Sequence, residues 1–255
     1  MDGVITRFVP GHDGAGLALH RLGSASAGRP MIMLHGLFSN AAVNWIKFGT
    51  AARLAAAGFD PIMPDFRAHG QSPAPRDAAA YPADVLVKDL QAIIGELRLG
   101  EFDLCGFSLG ARVALRAVTE AGFTPRRLIL CGMGLEGIVQ WERRIAFFLD
   151  VIDRYGTIPR GDPAYFAQAF MRSTGVDLVA ARHLLQSFTG SGPDSLARAT
   201  MPTRLICGAD DHDNGSAQEL ANALPDATYV AIPGTHMSSV TMPELAEQII
   251  AFLQA

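Results

Sequence analysis

Eight short apolar runs, bounded by residues such as Gly and Asp and separated by stretches of helical period, constrain this chain more than any other feature. The runs are Val4–Val9, Leu17–Leu22, Met31–Leu34, Phe59–Met63, Phe102–Cys105, Arg127–Cys131, Thr203–Cys207 and Thr228–Ile232. Runs this short and this rich in branched residues fit strands buried on both faces. The first two flank the turn-rich PGHDGAG and read as an antiparallel pair. Between later runs the period changes. Leu86, Leu90, Ile93, Ile94 and Leu97 share one helical face, as do Leu245, Ile249, Phe252 and Leu253. Thr241 and Glu244 have the spacing of a capping box for that last helix. Strand–helix–strand alternation predicts an α/β fold: a mostly parallel sheet with helices on both faces.

One region breaks the alternation. Residues 134–199 carry helical patterns without a convincing strand, and Trp141, Ile145, Phe148, Leu149 and Ile152 fall on one face. The expectation is a single core, residues 1–133 and 200–255, with a helical insertion at 134–199. A length of 255 residues fits that arrangement without a second independent domain. With 49% apolar and 18% charged residues the chain can fill a sizeable core. The net charge of −4 lacks the basic excess of a general nucleic-acid binder. No apolar stretch is long enough to span a bilayer, and MDGVITRFVPGHDG does not read as a secretory signal. Cys105, Cys131 and Cys207 each end a strand-like run, so buried reduced thiols and a cytoplasmic setting are expected. Their spacing does not suit zinc, and no metal is expected.

The chemistry-bearing signal is Gly106-Phe107-Ser108-Leu109-Gly110, between the run FDLC and the helical ARVALRAVTEAG. A serine on a sharp strand-to-helix turn needs small neighbours, and the turn lifts its hydroxyl clear of the sheet. The helix N-terminus then favours negative charge developing beside it. A serine hydroxyl becomes a strong nucleophile only when a base removes its proton, and a carboxylate must orient that base. Of seven histidines, only His183, His212 and His236 follow Ser108, and His183 falls in the insertion. His236 follows the run TYVAI in Pro233-Gly234-Thr235-His236, which makes it the candidate base. The acid is sought after TRLIC, in Gly208-Ala209-Asp210-Asp211. Asp211 is the choice there. Asp210, a candidate Asx-turn or cap former, and Asp213 stand as its rivals.

LHGLF at 34–38, DFRAHGQS at 65–72, GFSLG at 106–110, GADD at 208–211 and GTH at 234–236 together resemble the α/β-hydrolase superfamily over nearly the whole length. The resemblance implies an eight-stranded sheet with an antiparallel second strand, a helical cap after the sixth strand, and a Ser-His-Asp triad needing no cofactor. It assigns the oxyanion hole to the backbone N–H groups of Leu37 and Leu109. Within the superfamily, GFSLGARVAL and the cap look like small esterases, lactonases and the cofactor-free lyases of menaquinone synthesis. Dehalogenases and epoxide hydrolases carry an aspartate where this chain has Ser108. Ring-cleavage C–C hydrolases usually carry tryptophan after the histidine, where this chain has Met237. The loop after Asp211 reads HDNGS in place of the usual D-P-V-x-P.

The expected partner is a small molecule, and the expected reaction is hydrolysis of a carboxylic ester, lactone or thioester through an acyl-enzyme. A lyase or C–C hydrolase on the same scaffold is one alternative. A ligand receptor with a hydrolase-like pocket is another. Phe38, Trp141, Phe148 and Met237 are candidates to line the pocket. The aromatic residues Phe147, Tyr155, Phe166, Phe170 and Phe188 and the thioether of Met171 could roof it or fill the insertion's own core. Arg143 and Arg144 are adjacent, so at least one should face solvent. Arg67, His69 and His35 read as braces for the site's loops.

Overall fold

The computed structural model describes residues 3–23, 28–190 and 192–255, so residues 1–2 and 24–27 of the expected core and Ser191 of the expected insertion lie outside the described residues. All eight apolar runs are strands: β1 Val4–Pro10, β2 Gly16–Leu22, β3 Arg29–Leu34, β4 Phe59–Pro64, β5 Asp103–Phe107, β6 Leu128–Cys131, β7 Thr203–Gly208 and β8 Ala227–Ile232. They form one sheet in the order β1-β2-β4-β3-β5-β6-β7-β8. β2 runs antiparallel to both neighbours, and every pair from β4 to β8 is parallel.

The central strands are apolar on both sides because both sides are covered. Ile32, Leu34, Leu104, Leu128, Leu130 and Leu205 face a core built with α2 (Val85–Glu96), α3 (Leu109–Thr119) and α8 (Ala217–Ala223). The alternate residues Met31, Met33, Cys105, Ile129, Cys131 and Ile206 face α1 (Thr50–Ala56) and α9 (Pro243–Gln254). This is the period-two alternation of a strand sandwiched between helical layers. All three cysteines are buried free thiols. Burial pushes Cys207 up to about 12, which leaves it a poor nucleophile at neutral pH.

Between β6 and β7 the chain forms α4 (Glu136–Val139), α5 (Trp141–Asp153), α6 (Tyr165–Thr174), α7 (Leu178–Gln186) and a 3₁₀ stretch, Pro193–Arg198. Val151, Ile152, Ile158, Met171 and Leu185 form a third cluster there, and Phe38 from the loop after β3 joins it. Buried arginines of α3 hold the other end. The Arg112 guanidinium lies 4.2 Å above the Trp141 ring and donates to the Thr189 carbonyl. Arg116 pairs with Asp84 and donates to the Gly190 carbonyl. Burial and neighbouring Arg116 push Arg112 down to about 9.

The expected capping box of α9 does not form. Thr241 ends a 3₁₀ turn, Ser239–Thr241, and donates its hydroxyl to the Ser238 carbonyl. Pro243 occupies the first turn of α9 and Met242 the cap position, with no side-chain cap bond. Proline fits there because it lacks only an N–H that the helix leaves unpaired. Among the described residues, no helix is long and apolar enough to cross a membrane.

Candidate active site

Ser108 sits between β5 and α3 with φ 53° and ψ −113°, a backbone geometry that costs a non-glycine residue free energy. Two close approaches explain why the turn holds. A Cβ on Gly106 would lie 2.2 Å from the Gly110 carbonyl carbon, and one on Gly110 would lie 2.1 Å from the Leu34 carbonyl oxygen. Only glycine fits at either place, so β5, the turn and the end of β3 pack backbone to backbone. The Ser108 N–H donates to the Cys131 carbonyl at 2.8 Å.

The turn brings Ser108 to His236 and Asp211 across gaps of 128 and 103 residues. His236 Nε2 lies 3.0 Å from Ser108 Oγ, and Nδ1 lies 2.9 Å from Asp211 Oδ2. A carboxylate only accepts, so Nδ1 carries the proton and Nε2 is free to accept from the hydroxyl. All three groups are nearly enclosed: Ser108 is 9% and His236 8% exposed, and the Asp211 side chain 3%. Burial pushes the Asp211 carboxyl up, but His236, the Asp213 amide and Arg144 outweigh it and hold it below the ordinary value. The second Asp211 oxygen accepts from the Asp213 N–H at 3.1 Å, so the Asx turn belongs to Asp211 and not to Asp210. Asp210 is exposed. Asp213 turns away to Arg144, which donates to the Asp213 carbonyl at 3.1 Å and also sits over the Phe148 ring. Arg143 is exposed, as its adjacency to Arg144 predicted.

The loop after β3 lies against the serine: a Cβ on Gly36 would stand 3.5 Å from Ser108 Cβ. The Leu37 N–H has no hydrogen-bond partner among the described residues. The Leu109 N–H, in the first turn of α3, has none within the helix. Two histidines brace this loop. His69 Nε2 accepts from the Phe38 N–H at 2.9 Å, holding Phe38 at φ 59°, and its Nδ1 donates to the Arg67 carbonyl. His35 Nε2 accepts from the Phe66 N–H, and its Nδ1 donates to the Gly36 carbonyl. Both rings must be neutral to do this. Burial, with His35 as neighbour, pushes His69 down to about 3; burial likewise lowers His35. Arg67, fully buried, binds Asp13 and Asp89 through two hydrogen bonds each. Its guanidinium fills the space where His12, Asp13 and Asp89 could otherwise converge on a metal ion.

A cavity of about 180 Å³ opens at Ser108. Met237, 54% exposed, lines it as the sequence suggested. Phe38, Trp141 and Phe148 do not. Phe38 and Phe148 pack edge-on against each other at 5.4 Å in the third cluster, and Trp141 has Arg112 over its ring and Phe188 edge-on at 4.9 Å. Of the aromatics in the insertion only Phe170 reaches the cavity. Besides Gly36, Leu37, Phe107 and His236 around the serine, the wall includes Ser39, Val43, Asn44, Phe48, Val240 and Thr241. Residues 42–46 form a π-helical turn, whose period hides the apolar face from a 3.6-residue reading. The one available signal was the closeness of this segment to the Leu37 loop.

Residues 31–248 match the profile of the Alpha/beta hydrolase family. A putative 2-succinyl-6-hydroxy-2,4-cyclohexadiene-1-carboxylate synthase of Bacillus subtilis is 25% identical over 89% of this chain and 90% of its own. An N-formylmaleamate deformylase of Pseudomonas putida is 30% identical, but the match spans 48% of this chain and 44% of that protein. Among solved structures, an esterase from Exiguobacterium antarcticum superposes with a TM-score of 0.76 over 98% of this chain and 100% of its own at 19% identity. An enol-lactonase from Burkholderia xenovorans gives 0.75 over the same shares at 20% identity. These likenesses show the fold. With the family profile covering more than four-fifths of its length, the chain belongs to the alpha/beta hydrolase family.

Proposed function

We propose that this protein is a serine hydrolase that cleaves an uncharged ester-type small molecule (a carboxylic ester, lactone or thioester) through an acyl-enzyme. The observation that carries this reading is the continuous Ser108–His236–Asp211 hydrogen-bond chain opening onto an apolar cavity. Ser108 Oγ attacks the carbonyl as His236 Nε2 takes its proton. Asp211 stabilises the imidazolium. The Leu37 and Leu109 amides, free of internal partners, bind the oxyanion. His236 then returns the proton to the leaving oxygen or sulfur, activates a water, and the acyl group departs as an acid. The helices of residues 134–199 serve as a cap, with Phe170 closing the cavity. The chemistry draws on no cofactor, and reduced cysteines suit a cytoplasmic setting.

One observation favours a second reading: the Bacillus subtilis relative that matches over most of both chains bears a synthase name. The cavity wall speaks against a polyanionic substrate, because no Arg or Lys lines it. The deciding experiment treats wild type and Ser108→Ala with a fluorophosphonate probe and an aryl ester. Wild type should label at Ser108 and release a burst of the phenol. Ser108→Ala should do neither while keeping its melting temperature. Labelling that persists in the variant would remove Ser108 from the mechanism. Turnover without any serine adduct would move the assignment to the lyase.

A further inference from the structure

The cavity lining is mostly apolar, but away from Ser108 and His236 one wall carries a buried carboxamide whose nitrogen has nothing to bind. Asn44 is 3% exposed and lines the cavity from the π-helical turn. Its Oδ1 accepts from the Gly36 N–H at 3.1 Å. That bond fixes the amide's orientation, because an N–H can be met only by the oxygen. The Nδ2 group must then point away from Gly36, and among the described residues it has no partner. It is also absent from the buried polar atoms sealed off from solvent, so its access is to the cavity that Asn44 lines. Ser39, 6% exposed, lines the same wall, and its hydroxyl has no partner among the described residues either. A donor held at the wall with no protein acceptor is a poor filler for a cavity meant only for hydrocarbon.

We propose that Asn44 is a specificity-determining residue whose Nδ2 donates to an uncharged oxygen on the acyl portion of the substrate. The inference rests on the hydrolase reading. The leaving atom must face His236, which protonates it, so the acyl portion lies along the wall of residues 36–48. The substrate class is therefore an oxygenated acyl ester, carrying a ketone, ether or hydroxyl a few carbons from the scissile carbonyl. A plain alkyl ester leaves the donor unmet. A carboxylate would find no cation on the lining. Oδ1 of the same side chain steadies Gly36, beside the Leu37 amide, so the residue ties substrate recognition to the oxyanion loop.

The test uses p-nitrophenyl esters of alkanoic acids and matched acids bearing one ketone at carbon 3, 4 or 5. Pairs compete in one reaction, and each rate is normalised to its alkaline hydrolysis. Competition yields a ratio even when absolute rates are low. Wild type should prefer at least one oxo ester by about tenfold in kcat/KM, the effect of one hydrogen bond. Asn44→Asp keeps an oxygen for the Gly36 N–H and removes the donor, so the preferred ratio should fall to about one. A purely structural role would lower both esters together and leave the ratio standing, which would overturn the proposal. So would a wild type with no preference at any position. If neither ester class is cleaved and Ser108 takes no fluorophosphonate, the hydrolase reading fails, and this inference with it. Cleavage without preference refutes the inference alone.

Discussion

His69 can hold the Phe38 amide only while its ring is uncharged, which makes the loop after β3 acid-labile by a calculable amount. Burial and His35 push its pKa down to about 3 from 6.5. Between those values the unfolded chain binds a proton that the folded chain refuses, so stability falls as pH falls. At pH 5, about 1.5 pH units below the unfolded value at about 1.4 kcal/mol each, the loss from His69 is about 2 kcal/mol. His35 is lowered by burial too and adds a loss of the same sign. Asp65, Asp84 and Asp211, held below the ordinary 3.8, lose their contribution only as pH falls below that range, beneath this window. His69→Gln offers the Phe38 amide a carboxamide oxygen that does not titrate. Urea unfolding at pH 8 and pH 5 should show wild type losing about 2 kcal/mol more than the variant. Equal losses would refute the argument that burial, with His35 beside it, holds the ring neutral in the folded chain.

Asp211→Asn should lower kcat by about 10⁴, because the carboxylate fixes the tautomer of His236, whereas exposed Asp210→Asn should stay within a factor of two or so; steady-state ester hydrolysis separates them. Gly110→Ala forces a methyl group onto the Leu34 carbonyl at 2.1 Å, so thermal unfolding should reveal a loss above about 4 kcal/mol or no soluble protein. Arg67→Ala leaves the 3%-exposed Asp89 carboxylate with only His12, among the described residues, to meet it in place of a guanidinium and should cost about 3–5 kcal/mol in a urea titration. Phe170→Ala should shift the preferred acyl length upward in a p-nitrophenyl ester series, while Trp141→Phe, away from the cavity, should leave that profile in place.

The strands were legible because each is short, apolar and closed by a turn residue, a pattern that requires no knowledge of distant contacts. Ser108, Asp211 and His236 were legible because each follows a strand in a recognisable loop, and their convergence follows from where parallel strands end. The choice between Asp210 and Asp211 depended on which carboxylate the loop turns inward, a matter of backbone hydrogen bonds that composition cannot convey. The cavity wall was largely illegible. Aromatic residues at helical spacing fill the insertion's own core as readily as they roof a site, and Trp141, Phe148 and Phe38 went to packing. Val43, Asn44 and Phe48 were overlooked because a π-helical turn breaks the expected period. The Thr241–Glu244 spacing misled because Pro243 sets the start of α9 by itself.

The turn around residue 108 is gripped by main-chain atoms of β3, β5 and α3, and the hydroxyl contributes only its bond to the imidazole. On the proposed reading the scaffold works as a socket that presents whichever side chain occupies that point to the Leu37 and Leu109 amides. Exchange of the reactive group for a thiol or a carboxylate would alter the chemistry while sparing the architecture. New activities in such a protein can thus arise by swapping one side chain instead of rebuilding the fold.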